Sequence, residues 1–253
     1  MGPVFPAWLH ALAIASLVAG LACAALIAID ETRRPQSMWI MDLVWPLCAL
    51  FGSVLWLGLY WRWGRGPPRG RAMTGMTMGG LEAMPMPAAP LDAAAMAISS
   101  AKAASHCGSG CTLGDIVAEG LAFAFPGVAA AFGYGWLFHD RMFAIWGLDL
   151  VFAFLFGIAF QYFTLDPART PSPARRIVRA LQSDAATIAA WQVGMYGFMA
   201  LAQLAWLTPL YGGPAPVNSP EFWLIMQLAM LCGFVTSYPV NWLLVRLGIK
   251  EAM

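Results

Sequence analysis

The chain has 253 residues, of which 60% are hydrophobic and only 11% are charged, and its mean hydropathy is +0.67. Soluble domains carry about 25% charged residues, so the composition excludes an ordinary soluble protein. The formal net charge of +1 argues against a polyanion-binding protein, and we expect no nucleic-acid partner. The partner that the composition predicts is a lipid bilayer.

Six segments are apolar over the roughly 20 residues that a spanning helix needs. We predict a crossing of the membrane by each of them, and therefore an all-α, polytopic membrane helix bundle. In chain order the predicted spans are residues 5–28, 38–61, 112–137, 142–165, 186–208 and 222–245.

Lysine and arginine are unevenly distributed over the predicted loops. Of the 14 such residues, 3 fall in the first, third and fifth loops, and 11 fall in the second and fourth loops and the C-terminal segment. Cytoplasmic loops carry the excess of lysine and arginine. We therefore predict a multi-pass protein of the inner (cytoplasmic) membrane with both termini in the cytoplasm.

The long second loop divides the chain into predicted parts. Residues 63–104 are a flexible cytoplasmic linker rich in Met, Gly and Pro, from which no packed core can be built. They separate a two-helix membrane unit, residues 1–62, from a four-helix membrane domain, residues 105–253. Two interpretations of the linker methionines stay open: they collect Cu(I), or the linker is inert. These methionines are Met73, Met76, Met78, Met84, Met86 and Met96.

Residues 106–111 read His-Cys-Gly-Ser-Gly-Cys. Thiolate and imidazole are the ligands that select Cu(I), Zn(II) and similar ions, and glycine allows a tight backbone on which ligands converge. We predict that His106, Cys107 and Cys111 bind Cu(I) or Zn(II), with a fourth ligand from elsewhere. The alternative is that the two cysteines are ordinary reduced thiols.

Cys111, Asp115 and Glu119 follow one another at four-residue spacing, which places them on one slanting face of a helix. A carboxylate near the hydrocarbon costs at least ~2.5 kcal/mol, so this face should meet protein or water. We interpret it as the start of a polar path, although Asp115 could instead cap the helix or pair with an arginine. Further candidates for the path are Asp42, Asp149, Gln161 and Asn241.

Several motifs of catalysis and cofactor binding are absent from the sequence. It contains no G-x-x-x-x-G-K-[ST] loop, no G-x-S-x-G elbow, no H-E-x-x-H pair and no C-x-x-C-H haem attachment. We therefore predict no nucleotide or haem cofactor and assign no catalytic residue. An enzyme is the less favoured class.

Three motifs together resemble a known family. They are HCGSGCTLGDI at 106–116, GIAFQYF at 157–163 and TSYPVNW at 236–242. The chain resembles, from Cys107 to its C-terminus, a family of bacterial and archaeal integral membrane proteins described only as a four-helix domain of unknown function with an HCGxGC motif. The resemblance implies a four-helix domain preceded here by an extra helical pair, and it implies no activity. The residues that it singles out are His106, Cys107, Cys111, Asp115, Gln161 and Asn241.

These observations predict an integral membrane protein that handles a soft transition metal, Cu(I) above all, as a transporter or a metal-binding protein with a cytoplasmic-side site. One alternative is a non-transporting scaffold or assembly factor. A less favoured one is a membrane enzyme with Cys107 or Cys111 as its nucleophile. A homo-oligomer or a membrane partner is compatible with each of them.

Overall fold

The computed structural model describes residues 2–36, 38–68, 92–165 and 172–250, and these residues form helices joined by short connections. The predicted all-α class is confirmed. The helices are α1 (Ala7–Arg33), α2 (Met41–Leu59, continued by a π turn at Tyr60–Gly64), α3 (Ala93–Ala124), α4 (Gly127–Ala131), α5 (Arg141–Thr164), α6 (Pro173–Ala200, continued by a π turn at Leu201–Leu207), α7 (Thr208–Tyr211) and α8 (Pro220–Arg246).

Among the described residues, five stretches are long and apolar enough to cross a membrane. This supports a multi-pass membrane protein, and by length and composition the stretches match five predicted spans, residues 5–28, 38–61, 142–165, 186–208 and 222–245. The stretches are Ala7–Arg33, Met41–Gly64, Arg141–Thr164, Pro173–Tyr211 and Pro220–Arg246. These stretches are selected by length and composition alone. The packing of the helices gives a different interpretation of α2, which is in the set, and of α3, which is not.

Helix α2 reverses direction at Ser53, whose φ of 44° and ψ of −125° are not helical. Trp45 and Tyr60 would lie about 22 Å apart along a straight helix, yet their ring centroids are 5.7 Å apart. Gln36 joins both ends of α2, because its backbone N–H donates to Asp42 Oδ1 at 2.9 Å and its side-chain amide donates to the Gly64 carbonyl at 2.7 Å. The two arms of α2 therefore form a helical hairpin.

This hairpin corrects the predicted second span, residues 38–61. Each arm is only about 18 Å long, too short for a hydrocarbon core of about 30 Å, and both ends of α2 lie beside the end of α1. Hydropathy could not show the reversal, because both arms are apolar. The six predicted crossings, and the predicted placement of both termini on one side, are not confirmed.

Helix α3 corrects the predicted third span, residues 112–137. It starts at Ala93, where the Asp92 side chain accepts a hydrogen bond from the Ala95 N–H, and it ends at Ala124. The HCGSGC segment is therefore inside a helix and not in a turn. Its glycines serve close packing: a Cβ at Gly110 would lie 2.8 Å from the backbone of Gly157. The small residues at 153 and 157 that α3 meets on α5 allow this approach.

The helix ends define two faces of the bundle. His10 on α1 bonds Glu221 at the start of α8, and Val4 N–H donates to the Tyr211 carbonyl at the end of α7. We call this end the N-terminal face. The C-terminal face carries the ends of α1, α5 and α8, both ends of α2 and the starts of α3 and α6. Within the described part of the chain, α1, α3, α5, α6 with α7, and α8 run from one face to the other.

Helix α3 is the central helix, in contact with α2, α5, α6 and α8. Because neighbouring helices cover it, it needs little apolar surface, which explains why it is absent from the stretches selected by hydropathy. The proposed linker is largely outside the described residues, which resume at 92, so its predicted flexibility and its methionines 73–86 stay predictions. Met96 lies in the first turns of α3. The predicted domain boundaries likewise stay predictions.

Candidate functional site

The polar residues of the central helix α3 occupy two levels of the bundle. Cys107 lies toward the C-terminal face, and Asp115 lies about 12 Å further along the helix toward the N-terminal face. Both are buried, and so is Glu119 one turn beyond Asp115. Cys111, Asp115 and Glu119, which the sequence predicts to face protein or water, are all buried within the bundle, and their role in a polar path stays a prediction.

The first level is a cluster around a buried lysine, Lys250. Its Nζ donates to Asp184 Oδ1 at 2.5 Å, to Asn241 Oδ1 at 2.9 Å and to Cys107 Sγ at 3.1 Å. Cys107 Sγ also lies 3.0 Å from Thr187 Oγ1. Three helices and the C-terminal segment thus meet at one ion pair. We call these residues, Cys107, Asp184, Thr187, Asn241 and Lys250, the lysine cluster.

Lys250 reaches this position because the chain turns back after α8. Gly248 has a φ of +70°, a left-handed conformation that favours glycine, and the N–H groups of Ile249 and Lys250 donate to the Leu244 carbonyl. The Lys250 side chain is fully buried. Burial lowers the pKa of Lys250, but the carboxylate of Asp184 and the adjacent Cys107 raise it by more, so this pKa lies above its ordinary value.

The second level holds three acids. Asp149 on α5 faces Asp115 on α3, and it accepts a hydrogen bond from the Tyr196 hydroxyl at 2.7 Å. Neither oxygen of Asp115 accepts a hydrogen bond from a donor within the described residues. Arg141 sits beyond Glu119 but donates to the Ala122 carbonyl at 2.5 Å. We call Asp115, Glu119, Asp149, Gln192 and Tyr196 the acidic cluster.

His106 and Gln161 lie beside the lysine cluster. Gly114 packs on Ala153 and Gly110 packs on Gly157, and the same antiparallel register brings His106 to the level of Gln161. The imidazole lies 6.2 Å from the Phe160 ring, centroid to centroid. Both imidazole nitrogens and Gln161 Oε1 are buried without a hydrogen-bond partner among the described residues. A water molecule or a ligand would satisfy these atoms.

The predicted metal ligands point to different surroundings. Cys107 belongs to the lysine cluster, His106 meets Phe160, and Cys111 is one turn along α3 toward Asp115. In the described part of the chain, no three His, Cys, Asp or Glu side chains are placed to hold one metal ion. A closed zinc site of four ligands does not fit this arrangement. Metal binding by the three residues stays a prediction.

The remaining predicted path residues divide between the clusters. Asn241 is in the lysine cluster and Asp149 in the acidic cluster. Asp42 is in neither: it lies at the C-terminal face, where it accepts from Gln36 and lines a shallow depression with Glu31. Its proposed place in a path with Asp115 therefore has no support in the geometry.

Sequence reasoning missed Asp184, Lys250 and Tyr196. Asp184 precedes the predicted span 186–208, so the sequence predicts an acidic residue in a loop. In the structure α6 begins at Pro173, and Asp184 lies three helical turns after this start, inside the bundle. In the sequence, Lys250 is interpreted as an exposed charge of the C-terminal segment, because no local pattern predicts that the chain turns back after α8. Gly248 was the available signal, since a glycine just after a helix often starts a reversal of the chain.

The comparisons with known proteins agree with this architecture. A family model described as a domain of unknown function, DUF4396, matches residues 98–250. The chain belongs to this family. The match covers more than half of the chain, from the second turn of α3 to Lys250, and so contains both clusters. No curated protein and no solved structure matches the chain.

Proposed function

We propose that this protein is a membrane transporter that moves protons, or exchanges a cation for protons, through the core of its family domain. The observation that carries the proposal is a pair of facing acids, Asp115 on the central helix α3 and Asp149 on α5. Two buried carboxyl groups side by side cannot both be ionised without a large cost. Such a pair holds a proton or a cation between them.

Asp115 and Asp149 have no paired base among the described residues. Lys250 is paired with Asp184 at the other level, and Arg141, whose charge attracts Glu119, donates to a backbone carbonyl. Buried acids in a membrane protein that are not neutralised by a paired base mark ion or proton pathways. The Tyr196 hydroxyl, bonded to Asp149, extends the proton-carrying groups toward α6.

The lysine cluster supports the same proposal, because its ion pair would act as a barrier to a cation that moves along α3. Its ion pair closes the bundle between the acidic cluster and the C-terminal face, on the face of α3 that continues from Asp115. A cation that passes along α3 must displace the Lys250 ammonium or share its ligands. Lys250 therefore acts as the gate, opened when its contact with Asp184 is lost.

We propose that the C-terminal face is cytoplasmic and that the membrane is the inner membrane. Arg141 is the only described lysine or arginine that lies toward the N-terminal face. With α2 as a hairpin, Arg33 and Arg34 join the basic side, so the bias exceeds the one counted from six spans. The N-terminus is then outside and the C-terminus inside. Reporter fusions at each terminus test this: activity of both as cytoplasmic reporters would restore the six-span topology.

Flux into proteoliposomes tests the transport proposal. A pH-sensitive dye inside the vesicles should report acidification when an inward proton gradient or a counter-cation gradient is imposed. Asp115→Asn and Asp149→Asn should abolish the signal, whereas Asp42→Asn, the matched change outside both clusters, should keep it. Wild-type protein that is folded and shows no flux under any gradient would favour the scaffold or assembly factor instead.

A second candidate function is the handling of Cu(I). The observation that favours it is a set of buried free thiols along α3: Cys107, Cys111 and, from α2, Cys48, whose Sγ donates to the Ser105 carbonyl at 3.1 Å. Cu(I) is a soft ion that binds with few thiolate ligands, so it needs no closed four-ligand site. In this reading Cys107 accepts the ion once Lys250 withdraws.

An anaerobic Cu(I) titration of the purified protein tests the second candidate. Binding should weaken in Cys107→Ser with Cys111→Ser, and it should strengthen in Lys250→Met, because that change removes the competing ammonium. Cys232→Ser, a thiol outside both clusters, is the control. Equal affinity in wild type and the double variant would reject the site.

A further inference from the structure

We propose that a cavity beside Asp115 binds an amphipathic organic cation, the substrate that is exchanged for the proton of the acidic cluster. The inference rests on the proposed transport function and names its substrate class. The cavity has a volume of about 320 Å³ and lies between α1, the tip of the α2 hairpin, α3 and α8. This size is at the lower end of the range for small-molecule sites.

The lining of the cavity selects the charge of its occupant. Its walls are almost wholly apolar, and Asp115 is the only ionisable side chain among the described residues that line it. The Asp115 carboxyl is 1% exposed and neither of its oxygens has a hydrogen-bond donor there. A carboxyl in this setting attracts a cation and repels an anion.

The polar side chains of Thr112 and Gln227, which also line the cavity, are already hydrogen-bonded. Thr112 Oγ1 donates to the Gly108 carbonyl at 2.7 Å, and Gln227 has two partners. Its Nε2 donates to the Leu50 carbonyl at 2.6 Å and its Oε1 accepts from Ser16 Oγ at 2.6 Å. It therefore stabilises the tip of α2 and leaves Asp115 as the group available to a ligand. A small inorganic ion would lose its hydration shell against apolar walls without replacement ligands. A cation with apolar substituents fits both features.

Trp223 strengthens this assignment. Its indole lines the cavity, and an indole face attracts organic cations, quaternary ammonium groups above all. The rim of the cavity also lies at the surface that meets lipid, since Leu21 is 62% exposed and Ile116 is 39% exposed. An amphipathic molecule that partitions into the bilayer can enter from there.

Binding and protonation are coupled through Asp115. The ionisable groups that face or adjoin it are Asp149 from α5, Tyr196 from α6, and Cys111 and Glu119 from α3 itself, while α1, α2 and α8 line its cavity without an ionisable group. When the cation arrives, the proton held between Asp115 and Asp149 leaves, and the net charge of the site is unchanged. The cation should therefore bind more tightly as the pH rises.

Binding of tetraphenylphosphonium to the purified full-length protein tests the inference. Because one proton is exchanged for one cation, affinity should rise by up to about tenfold per pH unit over the range in which the pair holds its proton. Asp115→Asn should lower the affinity at the alkaline end of this range by at least about tenfold and abolish the pH dependence, whereas Asp42→Asn should change neither. Wild-type affinity in Asp115→Asn, or no binding by the wild type, would overturn the inference.

A second variant covers the case in which Asp115→Asn does not fold. Leu21→Trp fills the rim of the cavity from the exposed surface of α1 and should weaken binding. Leu26→Trp, at a position that is also exposed on α1 but is outside the cavity, should not. Proton flux separates this inference from the proposed function. Flux without tetraphenylphosphonium binding rejects only the substrate, and Asp115-dependent binding without flux under any gradient rejects transport.

Discussion

The lysine cluster and the acidic cluster share the central helix α3, on which Cys107 and Asp115 lie about 12 Å apart. The free-energy cost of buried charge is offset differently in the two clusters. In the lysine cluster, one base and one acid neutralise each other, and the ammonium has three hydrogen-bond acceptors. In the acidic cluster, acids face each other, and neither oxygen of Asp115 has a hydrogen-bond donor among the described residues. The first cluster is electrically neutral without a ligand, although Asp184 Oδ2 has no hydrogen-bond partner among the described residues. In the second, a proton or a cation would have to offset the charge of the facing acids.

The comparison predicts opposite signs for the removal of one acid from each cluster. Asp184→Ala leaves the Lys250 ammonium buried without its carboxylate, and it should lower the free energy of unfolding by about 3–5 kcal/mol. Denaturant titration in mixed micelles measures the change. Asp42→Ala, which removes one hydrogen bond from the Gln36 N–H, is the comparison and should cost only about 0.5–1.5 kcal/mol. A loss below about 1 kcal/mol for Asp184→Ala would mean that the pair is not buried as described.

The packing that holds both clusters in register should give the next largest effect. A Cβ at Gly110 would meet the Gly157 backbone at 2.8 Å, whereas one at Gly120 on the same helix meets nothing within 4 Å. We expect Gly110→Ala to destabilise by about 1–3 kcal/mol and Gly120→Ala to stabilise by about 0.5–1 kcal/mol. The same titration serves both variants, and equal responses would contradict the close contact of α3 with α5.

Removal of one acid from the acidic cluster should stabilise the protein while it abolishes flux. Asp115→Asn relieves the opposition of two carboxyls, and we expect a gain of about 0.5–2 kcal/mol, as is common when a functional residue under strain is replaced. Unfolding and proteoliposome flux are measured on the same preparation. A destabilised Asp115→Asn variant would show that Asp115 has a structural role like that of Asp184.

The smallest of these effects is the loss of folding stability at alkaline pH that the lysine cluster should cause. The pKa of Lys250 is raised in the folded protein, so the stability that it contributes is fully present below its unfolded pKa of about 10.4 and is lost as the pH rises further. The melting temperature of the wild type should therefore fall above about pH 10 more steeply than that of Lys250→Met. Parallel curves for the two proteins would contradict the ion pair.

The sequence predicts one half of this comparison better than the other. Asp115 and Glu119 are spaced on one face of a helix within an apolar region, so the physics of charge in a membrane is sufficient to predict their burial. The lysine cluster depends on the start of α6 and on a chain reversal after α8, which place Asp184 and Lys250 inside the bundle. Neither event leaves a hydropathy signal, and both residues therefore read as solvent-exposed charges.

The HCGSGC motif illustrates a different limit of sequence reasoning. Two glycines between two cysteines suggest a tight backbone on which metal ligands converge. Helix α3 uses these glycines to bring its backbone against α5 and beneath the ring of Trp191. The same residue type serves a turn and a tight helix contact, so only the tertiary structure separates the two.

The reversal at Ser53 has a consequence for the order of assembly in the membrane. The Leu50 carbonyl at the tip of the hairpin receives its hydrogen bond from Gln227, which lies 177 residues later in the chain. Trp56, beyond the tip, donates to Ser105 on α3. The Leu50 carbonyl therefore gains this hydrogen bond only after α8 has been synthesised, so the packing of the hairpin tip is completed late in the assembly of the bundle.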